Sequence, residues 1–178
     1  MTIHTDEKLI KQCLRGKTRA QQALYGKYSG VIYAICFRYA KNEEDAKDLL
    51  QETFVKMFTN LEKFKHEGSF EGWLKRIAVN TAIRHYQQSL KKLDNLDIEL
   101  VQESRTEASA IAELSAKEIT QTISCLPDGY RVVFNMYVVE GYSHKEIGDS
   151  LGITESSSRS QLMRARKILA HALNRINA

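Results

Sequence analysis

Residues Phe70 to Tyr86, FEGWLKRIAVNTAIRHY, set Trp73, Ile77, Asn80 and Arg84 at successive spacings of four, three and four. At ~100° per residue they share one helical stripe about 60° wide. A helix that only closes a core carries apolar residues along such a stripe. This one carries an indole, an aliphatic, an amide and a guanidinium, with Lys75, Arg76 and His85 close by. Stacking, hydrogen-bonding and phosphate-pairing groups on one rigid element suit unpaired nucleic acid. A plainer arrangement also fits, with Trp73 and Ile77 in the core and Asn80 and Arg84 at its solvated rim.

A second constellation lies near the C-terminus. Ser143-His144-Lys145-Glu146 has the form of a capping box, in which serine accepts from the amide three residues on and glutamate reaches back. A short helix over 143–151 presents Ile147 and Leu151 inward, Gly152 supplies a positive φ, and Ile153 anchors the turn. A longer helix begins near Thr154 or Glu155, giving a helix-turn-helix layout. Its exposed side carries Ser156, Ser157, Arg159, Ser160, Gln161 and Arg164, with Arg166 beyond and Ser143 at the mouth of the motif. Short donors and arginines of this kind suit base edges and phosphates in a major groove, with Arg159 and Gln161 for bases and Arg164 and Arg166 for phosphates. Leu162, Ala165 and Leu169 continue the buried side. A plain helical hairpin remains the competing reading.

Enzymatic chemistry has little to stand on. His66, His85, His144 and Glu52 are the best candidates, and none forms the i, i+4 carboxylate–histidine or paired-histidine spacing of a metal site. His4 and His171 lie near the chain ends. No catalytic residue, no metal, no cofactor and no small-molecule substrate is expected.

The elements that would position these groups are helical throughout, since a single proline leaves almost no strand-and-turn punctuation. The pattern predicts helices over 6–15 and 19–39. Asn42 caps a third, whose first turn is Glu43-Glu44-Asp45, where the helix dipole favours acids. Its apolar stripe reads Ala46, Leu50, Phe54 and Met57/Phe58, ending near Phe58. A polar loop, Asn60–Gly68, leads to Ser69, which can cap the Phe70–Tyr86 helix. From about Ser89 to Glu107 the periodicity fails, and the stretch reads as a linker. Helices then follow over 108–125 and, after Pro127-Asp128-Gly129, over 130–139. The expected fold class is all-α, with two small helical domains, 1–90 and 108–178, joined by a flexible acidic linker, 91–107.

Charge follows the same division. Residues 1–90 carry 15 Lys/Arg against 10 Asp/Glu, 91–120 carry 4 against 7, and 121–178 carry 7 against 5. Two basic lobes separated by an acidic stretch fit two contacts with a polyanion and a connector that avoids it. No apolar run approaches the ~20 residues of a membrane span, and the first twenty residues hold no secretory h-region. Cys13, Cys36 and Cys125 are odd in number and widely spaced, which fits buried thiols in a reducing cytoplasm.

In two blocks the chain resembles an extracytoplasmic-function sigma factor, the smallest class of bacterial RNA polymerase sigma subunits. Asp45-Ala46-Lys47-Asp48-Leu49-Leu50-Gln51-Glu52-Thr53-Phe54 resembles that family's region 2.2. Gly72-Trp73-Leu74-Lys75-Arg76-Ile77-Ala78-Val79-Asn80 resembles regions 2.3–2.4. Leu126-Pro127, Arg131, Phe134 and Glu140 to Gly148 resemble region 4. The blocks stand in family order on either side of a variable linker.

The resemblance implies partners and roles. The helix bearing Asp45, Asp48, Leu49, Gln51, Glu52 and Lys56 would dock on the clamp coiled coil of the polymerase β′ subunit, the core enzyme's β subunit being the other large partner. The loop with Lys63, Phe64, Lys65 and His66 corresponds to the one that traps a flipped base of the minus-ten element, and Phe64 could equally be a plug closing the helix pair. Trp73, Arg76, Asn80 and Arg84 would face the melted minus-ten strand. Ser143 and the recognition helix would read minus-thirty-five duplex. An anti-sigma factor, often membrane-bound in this class, is the further expected partner, and the cytoplasm the expected location. Neither a region 1.1 nor a region 3 domain is expected, since the linker is too short to hold one.

Two departures stand out. The family usually has Gly-Thr-Val early in the recognition helix, where this chain has Ser156-Ser157-Ser158. A serine at the valine site would bury a hydroxyl that must bond back to the helix. His85 and Tyr86 end the region 2.4 helix differently from Asp/Arg-containing versions. The alternative function is a helix-turn-helix regulator that is not a polymerase subunit.

Overall fold

The structure, a computed structural model, describes residues 6–94 and 122–176, with side chains over 6–90 and 122–172. Every regular element among the described residues is helical. The chain divides into two compact units, Met1–Ala82 and Ile83–Ala178. The acidic linker and most of the helix expected over 108–125 lie outside the described residues.

The first unit contains α1 (Asp6–Leu14), α2 (Thr18–Tyr39), α3 (Glu43–Thr59), a 3-10 turn (Leu61–Lys63) and the first half of α4 (Phe70–Asp94). Local chemistry fixes the starts. Asn42 accepts from the backbone N–H of Asp45 at 2.8 Å, so the acids of the first turn meet the positive end of the dipole. Ser69 does the same for α4, its Oγ accepting from the Gly72 N–H at 3.0 Å. Asp6 ties α1 to α2 by accepting from Lys27 and from the Tyr28 hydroxyl. Burial raises the pKa of Asp6, yet those two bonds outweigh it and hold the carboxyl below its usual value. Ile10, Leu24, Ile32, Met57 and Leu74, none more than 2% exposed, form the core. Each buried side chain of this size contributes about 1.5–3 kcal/mol.

The structure departs from the sequence pattern in α4, in α3 and at one cysteine. Helix α4 runs on to Asp94, because Gln87, Gln88 and Leu90 keep good helix propensity after the apolar period has lapsed. In α3 the buried face is Ala46, Leu49, Thr53, Phe54 and Met57, with Leu50 only half-buried. Thr53 is tolerated inside because its hydroxyl donates to the Leu49 carbonyl at 2.7 Å. Finally, Cys13 and Cys36 are buried as expected, but Cys125 is exposed. Burial pushes the Cys36 thiol up to about 11, which keeps it protonated and unreactive at neutral pH.

The second unit holds a helical stretch at 122–124, α5 (Asp128–Phe134), a π-turn (Asn135–Val139), α6 (His144–Leu151) and α7 (Glu155–Ile176). The single helix expected over 130–139 is thus wound differently in its second half. Leu126, Val132, Val133, Met136, Ile147, Leu162 and Ala165 are buried here. Arg131 is buried as well, because its guanidinium closes the turn around Pro127. One Nη donates to the carbonyls of Ser124 and Leu126 at 3.1 and 2.9 Å, and the other to Asp128 at 2.7 Å.

Helix α6 is joined to α7 by a close turn. Gly152 takes φ 70°, and its N–H bonds the Gly148 carbonyl. A Cβ on Gly148 would lie 2.8 Å from the carbonyl oxygen of Ile153, so only glycine lets the turn come this near.

Candidate polymerase and nucleic-acid interfaces

On α3 the buried face fixes which residues look outward. Asp48, Gln51, Glu52 and Val55 are exposed, and Asp45 is half-buried. Asp48 and Gln51 have no side-chain hydrogen bond or ion pair among the described residues. Glu52 pairs with Lys56 at 2.6 Å, and Lys56 also donates to the Thr81 hydroxyl of α4 at 3.3 Å. Lys56 is therefore a buttress between two helices as much as a surface group. Leu49, expected among the contact residues, is 2% exposed and supports this face from beneath. Its neighbour Leu50 shares the helix, and the ~100° step between them decides which goes inside.

On α4 the stripe emerges at the surface. Trp73 and Ile77 are half-buried, while Arg76, Asn80 and Arg84 are exposed; Leu74, Ala78 and Val79 face the core instead. Among the described residues no hydrogen bond or ion pair engages the side chains of Arg76, Asn80 or Arg84, whereas Lys75 is paired with Glu71 at 2.7 Å. This placement fits both readings of the stripe, since Trp73 and Ile77 are packed in part and Asn80 and Arg84 lie at the exposed rim. Trp73 caps a cluster of rings, 5.4 Å from Phe64 and 5.6 Å from Phe70.

Phe64 is the centre of that cluster. It is 8% exposed, edge-on to Phe70 at 5.3 Å and against His66 at 4.7 Å. Of the two roles open to it, the plug is the one its packing matches. Lys63 and Lys65 flank it outward, Lys63 donating to Asn60 at 2.8 Å. The loop then turns sharply through His66 at φ 59° and Gly68 at φ 100°. Beside it opens a cleft of about 350 Å³ walled by Asp6, Lys27, Tyr28, His66 and Phe70.

The helix-turn-helix has both halves of its capping box. The Ser143 N–H and hydroxyl donate to Glu146 at 2.8 and 2.7 Å, and the Glu146 N–H returns to Ser143 Oγ at 3.2 Å. The backbone bond and then the hydroxyl hold the Glu146 carboxyl below its usual value. On α7, Ser156, Arg159, Ser160, Arg164 and Arg166 are exposed, and Ser157 and Gln161 are half-buried. The arginines are held in two ways. Arg159 is paired with Glu155 one turn back on its own helix. Arg164 leans on another element, donating to the Tyr130 hydroxyl at 3.2 Å, and Arg166 lies over the Tyr137 ring at 5.9 Å.

Ser158 is where sequence reasoning fell short. It is fully buried, but its hydroxyl does not turn back to its own helix: it meets His144 Nδ1 on α6 at 2.9 Å. The signal was present, since Ser158, Leu162, Ala165 and Leu169 continue one 4-3-4 stripe. What the sequence lacked was the partner, fourteen residues away.

Two family models match the chain, Sigma-70 region 2 over residues 24–91 and Sigma-70, region 4 over residues 116–169. Among curated relatives, the RNA polymerase sigma-H factor of Pseudomonas aeruginosa is 28% identical over 97% of this chain and 96% of its own. The ECF RNA polymerase sigma-E factor of Escherichia coli strain K12 is 27% identical, over 93% of this chain and 92% of its own. Among solved structures, the sigma factor RpoE in complex with the anti-sigma factor NepR from Bartonella quintana is 18% identical with a TM-score of 0.49, covering 86% of this chain and 96% of that one. With both regions matched in order along one chain, and relatives aligned over nearly its whole length, the protein belongs to the sigma-70 family, in its extracytoplasmic-function class.

Proposed function

We propose that the protein is a dissociable specificity subunit of RNA polymerase that directs promoter-specific initiation and performs no chemistry of its own. Residues 1–90 bind the core enzyme and open and read the minus-ten element, 91–107 connect, and 108–178 read minus-thirty-five duplex. The reading rests on one observation above others: region 2 and region 4 matches follow in sigma order within one chain. The geometry supports its parts. The unpaired acidic and amide groups of α3 suit a polar protein partner, with β′ its first contact. Free Asn80 and Arg84 suit an unpaired strand, and the cleft beside the Phe64 loop offers a displaced base a place between aromatic and polar walls. An anti-sigma factor, commonly membrane-bound in this class, would cover the same surfaces. Among the described residues no helix is long and apolar enough to cross a membrane. A subunit that works with RNA polymerase would do so in the cytoplasm.

The test is co-purification followed by transcription. Tagged protein expressed in the source organism should bring down β and β′, and with core polymerase it should start discrete run-off transcripts from fragmented genomic DNA. Recovery of DNA with little polymerase would favour a helix-turn-helix regulator acting alone.

The bracing of the arginines on α7 leads to a second expectation. Arg159, exposed and paired only with Glu155 on its own helix, is free to adapt to a base edge, whereas half-buried Gln161 also lies against Gly129 of α5; Arg159→Ala should cost ~1–3 kcal/mol at one promoter position and relax specificity there. Arg164, fixed on Tyr130, suits a phosphate, and Arg164→Ala should weaken all sequences alike and lower the salt slope by about one. Binding isotherms at several salt concentrations distinguish the two; identical behaviour would end this division of labour.

A further inference from the structure

The contact between His144 and Ser158 belongs to neither the capping box nor the exposed recognition face, and both its members are buried, at 9% and 0% exposure. It is built from three elements. The imidazole of α6 stacks on Tyr137 of the π-turn, centroids 4.4 Å apart and planes 20° from parallel. Its Nδ1 meets the Ser158 hydroxyl of α7 at 2.9 Å. Arg166 covers Tyr137 in turn. Ser158 lies directly between Ser157 and Arg159, so whatever holds its hydroxyl holds the turn of α7 that presents these groups to DNA.

We propose that His144 is a positioning residue for duplex recognition, setting the register of the first turns of α7 through Ser158, so that this contact governs sequence discrimination more than overall affinity for DNA. The proposal rests on the reading of residues 108–178 as the duplex-reading lobe. A valine at position 158 would pack without direction. A hydroxyl held by a ring nitrogen fixes both rotation and advance of the helix, because hydrogen bonds weaken steeply once bent or stretched. Removing one partner leaves a polar atom buried and unmet, which disfavours the native register.

The contact is also sensitive to acid. In the neutral tautomer that carries its proton on Nε2, the Ser158 hydroxyl donates to Nδ1. Once protonated, Nδ1 donates instead, so the bond reverses and a positive charge stands in a buried place beside Arg159 and Arg166. The charged groups facing the ring are Arg159, Arg166 and Glu155 of α7, with phenolic Tyr137 against its face and Lys145 and Glu146 beside it on α6. Burial first, then Arg159 and Arg166, lower the pKa of His144, while Glu155 opposes them. A histidine depressed in the folded state contributes stability that is present above its unfolded pKa of ~6.5 and is lost as pH falls through the lower folded value.

The experiment uses holoenzyme and two probes: a duplex carrying a promoter mapped from its own run-off transcript, and the same duplex with the upstream element scrambled. Discrimination is the ratio of the two dissociation constants. His144→Ala, His144→Gln and Ser158→Ala should each lower it by about tenfold while binding to the scrambled probe changes little. His144→Asn keeps a polar atom at the δ position and should retain most of the discrimination, which guards against misreading a folding defect. As pH is lowered below the ordinary imidazole value of ~6.5 the wild-type ratio should fall, and that of His144→Asn should stay flat. Wild-type discrimination in His144→Ala, or an Asn variant as poor as the Ala variant, would overturn the proposal. A wild-type holoenzyme that does not distinguish the two probes would instead sink the duplex-reading assignment beneath it.

Discussion

Reversing charge at Asp48 and Glu52 together, as Asp48→Lys with Glu52→Lys, should abolish binding to core polymerase while the helical circular dichroism persists. Both side chains are exposed on α3, and neither supports the core beneath them. Asp48 has no partner to lose among the described residues. Glu52 does, in Lys56, but an i, i+4 pair is worth only about 0.3–0.5 kcal/mol and a like-charge one costs about as much, while Lys56 keeps its bond to Thr81. The fold should therefore survive. Two acids turned to lysines against a partner surface chosen for acids create like-charge contacts that cost several kcal/mol, enough to remove micromolar or tighter binding (~1.4 kcal/mol per tenfold). A Leu49 substitution is the instructive contrast: as a core residue, Leu49→Ala should lower stability by about 2–5 kcal/mol and affect polymerase only through the fold. If the double reversal binds core enzyme with wild-type affinity, α3 is not the docking surface.

Most of the fold was legible because its decisive signals are local. Asn42, Ser69, Ser143 and Gly152 each sit at a helix end and do there what their side chains, or the lack of one, allow. The boundaries that moved were those without such a signal. Helix α4 passes Tyr86 because propensity carried it where periodicity no longer did, and no residue in Asn135–Val139 announces a π-turn. On α3 the assignment of Leu50 in place of Leu49 came from adjacent leucines, between which pattern alone cannot choose. The site was legible to the same degree. Exposed groups on one helix, such as Asn80 with Arg84, follow from spacing. Contacts that join distant segments do not, and Phe64 in its ring cluster, Lys56 on Thr81 and His144 on Ser158 all belong to that kind.

Loss of Asn80 or Arg84 should be felt in strand opening and hardly at all in duplex capture. Both side chains lie exposed on α4 without partners among the described residues, so Asn80→Ala and Arg84→Ala should fold normally and bind core polymerase. They should still protect minus-thirty-five DNA, a task proposed for α7. Permanganate reactivity, which reports unstacked thymines near the start site, should fall sharply. A premelted bubble template should restore much of the transcription, since the unpairing cost of a few kcal/mol has already been met. Phe64 cannot serve as the companion variant. Its ring is packed among Phe70, Trp73 and His66, and truncation to alanine should destabilise the first unit by about 3–5 kcal/mol, whatever its role toward DNA. Lys65→Ala is the cleaner probe of the loop, being exposed and directed outward, and should join Asn80→Ala in losing opening and recovering on the bubble. Trp73 lies between these cases, half-buried, with its indole closing the cluster while part of it reaches the surface that Asn80 and Arg84 share. Trp73→Phe keeps the cluster and shortens that reach, so it should retain fold and polymerase binding with a milder opening defect. If neither Asn80→Ala nor Arg84→Ala recovers on the bubble template, the stripe does not handle the unpaired strand, and the polar half of α4 is only its solvated face.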